Sequence, residues 1–231
     1  LSPEKKYACI EENLRVGDLD LTLCHTVTGR RPLARVLLGP GMHDSGESVY
    51  SALSALAASE NVDLVRFVYP DELGVSWLRM RLAQRREILR GLLELLVDET
   101  DEGVPIFVGG RSVSARLASE LEHPRITGYA FFSFPLSLPL LRLPLPARRL
   151  RSLKKPSLFV QGGLDPLAPV SSVEKQIKAL NPHAFLLLIP EADHNLHNPG
   201  SEGRSNETIR EEISNVFFWY LSEVLQRMSR N

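Results

Sequence analysis

The stretch "PIFVGGRSVSARLA", residues 105–118, decides how the chain is read. An apolar run stops at Gly109 and Gly110, Arg111 and Ser112 follow, and a helix-like pattern then begins. Two readings of Ser112 are open. It is a nucleophile held on a sharp strand-to-helix turn, or a serine that caps the first turn of a helix. A nucleophile on such a turn needs an exposed Oγ, and small residues two positions before and after it let strand and helix approach. Gly110 and Ser114 stand there. Ser114 replaces the second glycine of G-x-S-x-G. Its side chain is small enough to fit, but the pattern is weaker for it.

Working outward, short apolar runs recur at 34–39, 62–70, 105–110, 126–134, 156–162 and 184–190, with helical patterns between them. Most are apolar at nearly every position, as expected of strands in a parallel sheet covered on both faces. The run "LDLTLCHTV" (19–27) alternates, which predicts an antiparallel edge strand. In residues 77–99 the spacing puts Leu78, Leu82, Leu89, Leu93 and Leu96 on one helix face, with Arg79, Arg86, Arg90 and Glu94 mostly elsewhere. Ile209, Ile213, Val216, Phe217 and Tyr220 repeat the pattern, so the last helix is expected to dock on the sheet. The fold class predicted is α/β, a doubly wound, mostly parallel sheet flanked by helices. Ligand sites in such sheets form at the carboxyl ends of the strands.

Two more strand ends carry candidate chemistry. "SLFVQG" runs into "GLDPLAP" and places Asp165 just past one strand, while "FLLLIP" runs into "EADHNLH" and places His194 past the next. His194 can take the Ser112 proton as general base, with Asp165 fixing the imidazole tautomer and stabilising the imidazolium. Each also has an ordinary reading. Asp165 before Pro166 is a good turn residue, and a loop histidine usually has no special task.

With these residues in view, the chain resembles the small α/β-hydrolases related to dienelactone hydrolase, on the branch that includes testis-expressed and non-specific-lethal-complex proteins. The resemblance runs from "RVLLGPG" through "VGGRSVSARLA", "FVQGGLDPLAP" and "IPEADHNLH" to the final helix. It implies the roles of nucleophile, acid and base for Ser112, Asp165 and His194. It also implies hydrolysis of a small ester, thioester or lactone, with no cofactor. Because the family includes members used as parts of larger assemblies, a binding or scaffold module of low or absent activity is the alternative.

The first parallel strand ends in "LLGPGMHDSG", where the family usually carries a His-Gly-small-Gly run. Leu38 then stands in place of the histidine, and Pro40 in place of the small residue. One oxyanion donor is expected to be the N–H of Val113, and the other comes from this loop. Proline has no N–H, so with Pro40 at the donor position the oxyanion loses one of its two backbone bonds, unless Gly41 or Met42 turns an N–H into the hole, the loop is set one residue over, or His43 swings in a side-chain donor. A dinucleotide-binding turn on Gly39 and Gly41 is the rival reading of the loop, but it needs glycine where Asp44 stands. Arg111 can orient an anionic substrate, although an arginine there more often lies over the helix surface and meets water or a carboxylate. His194 and His197 lack a third ligand at metal-binding spacing, so no metal is expected.

The segment 135–155 is rich in proline and leucine. It can be a short lid or acyl-binding wall, with Leu136, Pro40 and Arg111 around the substrate. It can equally be an extended connector whose leucines pack down, or an apolar and basic strip that docks a protein partner. It is too short for a large cap domain.

The 231 residues, 43% of them hydrophobic, can bury one substantial core, so a single domain over 1–231 is expected. A formal net charge of -1 gives no field to draw nucleic acid or anionic membrane. Cys9 and Cys24 are too few to staple such a fold. No apolar run is long enough to span a bilayer, so a cytoplasmic location is the default expectation, with the nucleus left open.

Overall fold

The computed structural model describes residues 9–16, 19–26, 30–41, 49–68, 82–138, 143–144, 150, 153–178 and 183–230. Met42, His43, Asp44, Leu78 and Arg79 lie outside the described residues. In chain order the larger elements are β1 (Cys9–Val16), β2 (Leu19–Thr26), β3 (Ala34–Gly39), α1 (Val49–Ala57), β4 (Val62–Val68), α2 (Leu82–Asp98), β5 (Ile106–Arg111), α3 (Val113–Ala118) and β6 (Ile126–Phe132). They are followed by the two-residue strands β7 (Ser137–Leu138) and β8 (Leu143–Pro144), then β9 (Ser157–Gly162), the short α4 (Val170–Val173), β10 (Ala184–Ile189) and α5 (Asn206–Ser229). A π-helical turn, Glu174–Lys178, continues α4.

Among the described residues one eight-stranded sheet has the order β1-β2-β4-β3-β5-β6-β9-β10. From β4 to β10 every neighbouring pair is parallel, whereas β1 with β2 and β2 with β4 are antiparallel. The expected run at 19–27 is therefore an antiparallel strand but not the edge. β1 pairs outside it along its whole length, from Cys9↔Thr26 to Val16↔Leu19.

The central strands are apolar at successive positions because each position feeds a different core. Along β5, Ile106 and Val108 join one cluster and Phe107 the other; along β9, Phe159 joins the first, Leu158 and Val160 the second. The first cluster is covered by α2, through Leu89, Leu92, Leu93 and Leu96, and by Val173 and Ile177. The second is covered by α1 and α5, whose Ile209, Ile213, Phe217, Tyr220 and Val224 recur at helical spacing. Full burial of side chains such as Phe131 or Phe159 contributes about 1.5–3 kcal/mol each.

On α2 the buried stripe runs through Arg85, Ile88, Leu89, Leu92, Leu93 and Leu96. Leu82, expected on that face, is 45% exposed because it sits in the first turn, ahead of the part of the helix that meets the sheet. Val216 packs against its cluster only in part. In the proline and leucine segment, β7 and β8 form a small antiparallel ladder, and Leu136, Leu150 and Leu153 are buried in the first cluster. Those leucines pack down as a connector's would.

Candidate active site

β5 enters the centre of the sheet between β3 and β6 and delivers Ser112 one residue past its carboxyl end. Ser112 adopts φ 53° and ψ -117°, a backbone conformation that non-glycine residues rarely hold without surrounding support. The support is visible: its N–H donates to Phe132 O at 2.9 Å, and its carbonyl accepts from Arg116 N–H at 3.2 Å. The turn is tight enough that a Cβ on Gly110 would lie 2.7 Å from Ser114 Cβ and 3.0 Å from Gly39 O. Ser114 is wedged between β5 and β3 in this way, so the small residues on either side of Ser112 follow from packing.

The Ser112 hydroxyl makes no capping bond to α3, which separates it from an ordinary helix-cap serine. It lies 2.9 Å from His194 Nε2, and His194 Nδ1 lies 2.8 Å from Asp165 Oδ2. Asp165 is buried, and its other oxygen, Oδ1, accepts the Leu167 N–H at 2.8 Å. The imidazole is partly exposed. A hydrogen-bonded row thus runs from a buried carboxylate to a hydroxyl at the rim of the sheet, each residue following a different parallel strand. An aspartate that accepts from Nδ1–H leaves the Nε2 lone pair facing the hydroxyl.

Asp193 shapes the loop that aims His194. Its Oδ1 accepts from Asn195 N–H at 2.7 Å and His197 N–H at 3.1 Å, and its own N–H donates to His197 O at 2.8 Å. Neither Asp193 nor Asn195 was singled out by sequence reasoning. The signal was the Asx-turn habit of aspartate two residues before a donor N–H.

Arg111 departs from the surface reading. It is 4% exposed, and its Nη2 donates to Asn195 Oδ1 at 3.0 Å, because the side chain folds in beside Gly41 instead of lying over α3. Leu136 is buried in the core, its N–H donating to Leu167 O at 3.0 Å, so it braces the Asp165 loop. Pro40 and Gly41 are buried at the end of β3, and the Pro40 carbonyl accepts from Ser114 Oγ at 2.6 Å. Val113 is the first residue of α3, where an N–H has no partner within the helix. Other clefts lie elsewhere. One is lined by Arg35, Asp63 and Thr100 at the amino ends of parallel strands, and another by His123 and Lys155. Neither contains Ser112 or the rim that ligands of such sheets use.

A family model described as "Alpha/beta hydrolase domain" matches residues 34–220, most of the chain. The chain belongs to the alpha/beta hydrolase domain family. Solved structures agree in fold. Est1E from Butyrivibrio proteoclasticus superposes with a TM-score of 0.68 at 13% identity, covering 92% of this chain and 99% of that one. The esterase Pf2001 from Pyrococcus furiosus gives 0.70 at 18% identity, covering 94% and 93%. A thioesterase domain from the curacin biosynthetic pathway gives 0.60 at 15% identity, covering 89% and 99%. As in the family, the sheet is mostly parallel and flanked by helices, with no large inserted cap among the described residues.

Proposed function

We propose that this alpha/beta hydrolase is a serine hydrolase of a small ester, thioester or lactone, acting through an acyl-enzyme on Ser112. The observation that carries the reading is the row Ser112 Oγ, His194 Nε2, His194 Nδ1 and Asp165 Oδ2, joined at 2.9 and 2.8 Å. Solved relatives named as an esterase and a thioesterase domain support the substrate class by analogy of fold. The motifs quoted above further suggest the dienelactone-hydrolase-related branch.

In this reading Ser112 Oγ attacks the acyl carbonyl carbon while His194 Nε2 takes the hydroxyl proton. The carbonyl π electrons move onto oxygen, where Val113 N–H and a donor from the Gly41 or Met42 region stabilise the charge. Collapse expels the alcohol or thiol, which receives the proton from Nε2. Water then attacks the acyl-enzyme, gives its proton to His194, and the acid leaves as Ser112 regains its hydrogen. Asp165 stays ionised and holds Nδ1–H throughout. Every step uses this chain's side chains, its backbone and water.

A fluorophosphonate probe tests the reading. The wild type is expected to label and Ser112→Ala to remain unlabelled; an unlabelled wild type beside a labelled control hydrolase overturns it. One feature favours a second reading, a binding or scaffold module: set against the family's His-Gly-small-Gly run, the loop after β3 carries Pro40, which has no N–H to give an oxyanion. Ser112-dependent turnover of p-nitrophenyl esters removes that alternative. Capture of a stable partner through 135–155 by an inactive wild type favours it.

A further inference from the structure

The Ser114 hydroxyl has no part in the reaction just described, yet it is buried and donates to Pro40 O at 2.6 Å. A glycine, the residue the elbow pattern expects there, has no hydroxyl with which to make this bond. The peptide bond joining Pro40 to Gly41 is trans, since no described peptide bond is cis. Its C=O and the following N–H therefore point in opposite directions. With the carbonyl held toward Ser114, in the body of the turn between Gly39 and Gly110, the Gly41 N–H leaves the opposite edge of the same planar peptide, away from Ser114. Gly41 is restrained from a second direction. A Cβ there would lie 2.6 Å from Arg111 Nε, and Arg111 is tied to Asn195, the neighbour of His194.

We propose that Ser114 is a positioning residue whose hydroxyl fixes the peptide between Pro40 and Gly41, so that the Gly41 N–H joins that of Val113 in holding the oxyanion. This supplies the donor that proline at position 40 lacks, and two of the departures from the family pattern, Pro40 and Ser114, become one arrangement. The inference rests on the serine-hydrolase reading above.

The test compares wild type, Ser114→Ala and Ser114→Cys with p-nitrophenyl acetate, with active sites counted by fluorophosphonate labelling carried to completion. Counting separates the fraction folded from the rate per site. Misplacing one oxyanion donor is expected to lower kcat per site by about 10-fold or more in Ser114→Ala, with KM unchanged. Inhibition by a trifluoromethyl ketone, whose adduct on Ser112 carries an oxyanion, is expected to weaken by a similar factor. Ser114→Cys, a poorer donor, is expected to fall between. If Ser114→Ala does not fold, Ser114→Gly removes the same hydroxyl and gives the same comparison. A wild type with Ser112-dependent turnover, matched by Ser114→Ala or Ser114→Gly in kcat and ketone affinity, overturns the positioning role alone. A wild type with no such turnover overturns the hydrolase reading and the positioning role together.

Discussion

Asp165 is tied on both oxygens, by His194 Nδ1 and by the Leu167 N–H, and this sets what its replacement should do. In Asp165→Asn the amide oxygen can keep the Leu167 bond while its NH2 faces Nδ1. His194 must then accept at Nδ1 and carry its proton on Nε2, where it cannot take the one from Ser112. The expected result is a loss of about 1,000-fold or more in kcat for a p-nitrophenyl ester, with the melting temperature changed by only a few degrees. Activity near wild type would contradict the role given to this carboxylate. Ser112, Asp165 and His194 were legible because each follows the end of an apolar run, in the chain order Ser, Asp, His, and strand ends can be counted along a sequence. The burial of Arg111 was not. It depends on the loop after β3 folding over the residue before Ser112, a contact between positions seventy residues apart that no local pattern encodes.

The turn between β5 and α3 is an element whose parts should respond together. A Cβ on Gly39 meets Ser114 Cβ at 2.7 Å and Ser114 Oγ at 2.9 Å, whereas one on Gly110 also meets backbone atoms. Gly39→Ala should therefore destabilise by about 1–3 kcal/mol, and Ser114→Gly in the same chain should recover part of the loss. Denaturant melts of the two single variants and the double variant measure this; strict additivity would deny the contact. The same Ser114→Gly should rescue Gly110→Ala less. The loop leading to His194 is clamped at Glu191, whose carboxylate accepts from Arg204 Nε at 2.5 Å and Nη2 at 3.0 Å, while Arg204 also reaches Glu212 on α5. The Arg204 guanidinium holds the Glu191 carboxyl down to about 2. A carboxyl lowered on folding stabilises fully above its unfolded value of roughly 4.3 and loses that contribution as pH falls toward the folded value. Glu191→Gln should thus flatten the decline in stability between about pH 4.5 and pH 2, read by urea melts across that range, and leave the slope near neutrality unchanged. Among elements, β1 escaped the sequence reading because its alternation is broken: Ile10, Leu14 and Val16 share a parity with Glu12, and Ile10 is exposed. Among its described side chains Leu14 and Val16 pack, partly buried, against the core, which is enough to pair a strand at an edge but too little to announce one.

At the scale of the molecule, both faces of the sheet are packed. A parallel sheet covered on two sides demands apolar residues at successive positions, so six strands could be read as runs and the fold class followed. Phe131 lies in one cluster, beside Tyr129, Phe134 and Phe159, and Phe217 in the other, beside Phe132 and Phe218. Each truncation to alanine should cost about 3–5 kcal/mol. Because the parallel strands β3, β4, β5, β6, β9 and β10 contribute to both clusters, each is expected to lower the midpoint of one shared unfolding transition, followed by fluorescence and circular dichroism together. Separate transitions for the two probes would mean that the faces belong to units that unfold apart.

The most direct test is to trap the acyl group. Wild-type protein quenched in acid during turnover of a p-nitrophenyl ester, digested and read by mass spectrometry, is expected to carry the acyl mass on Ser112. Ser112→Ala should carry none. An acyl group found on another side chain, or none under conditions where the wild type turns the ester over, would contradict the account.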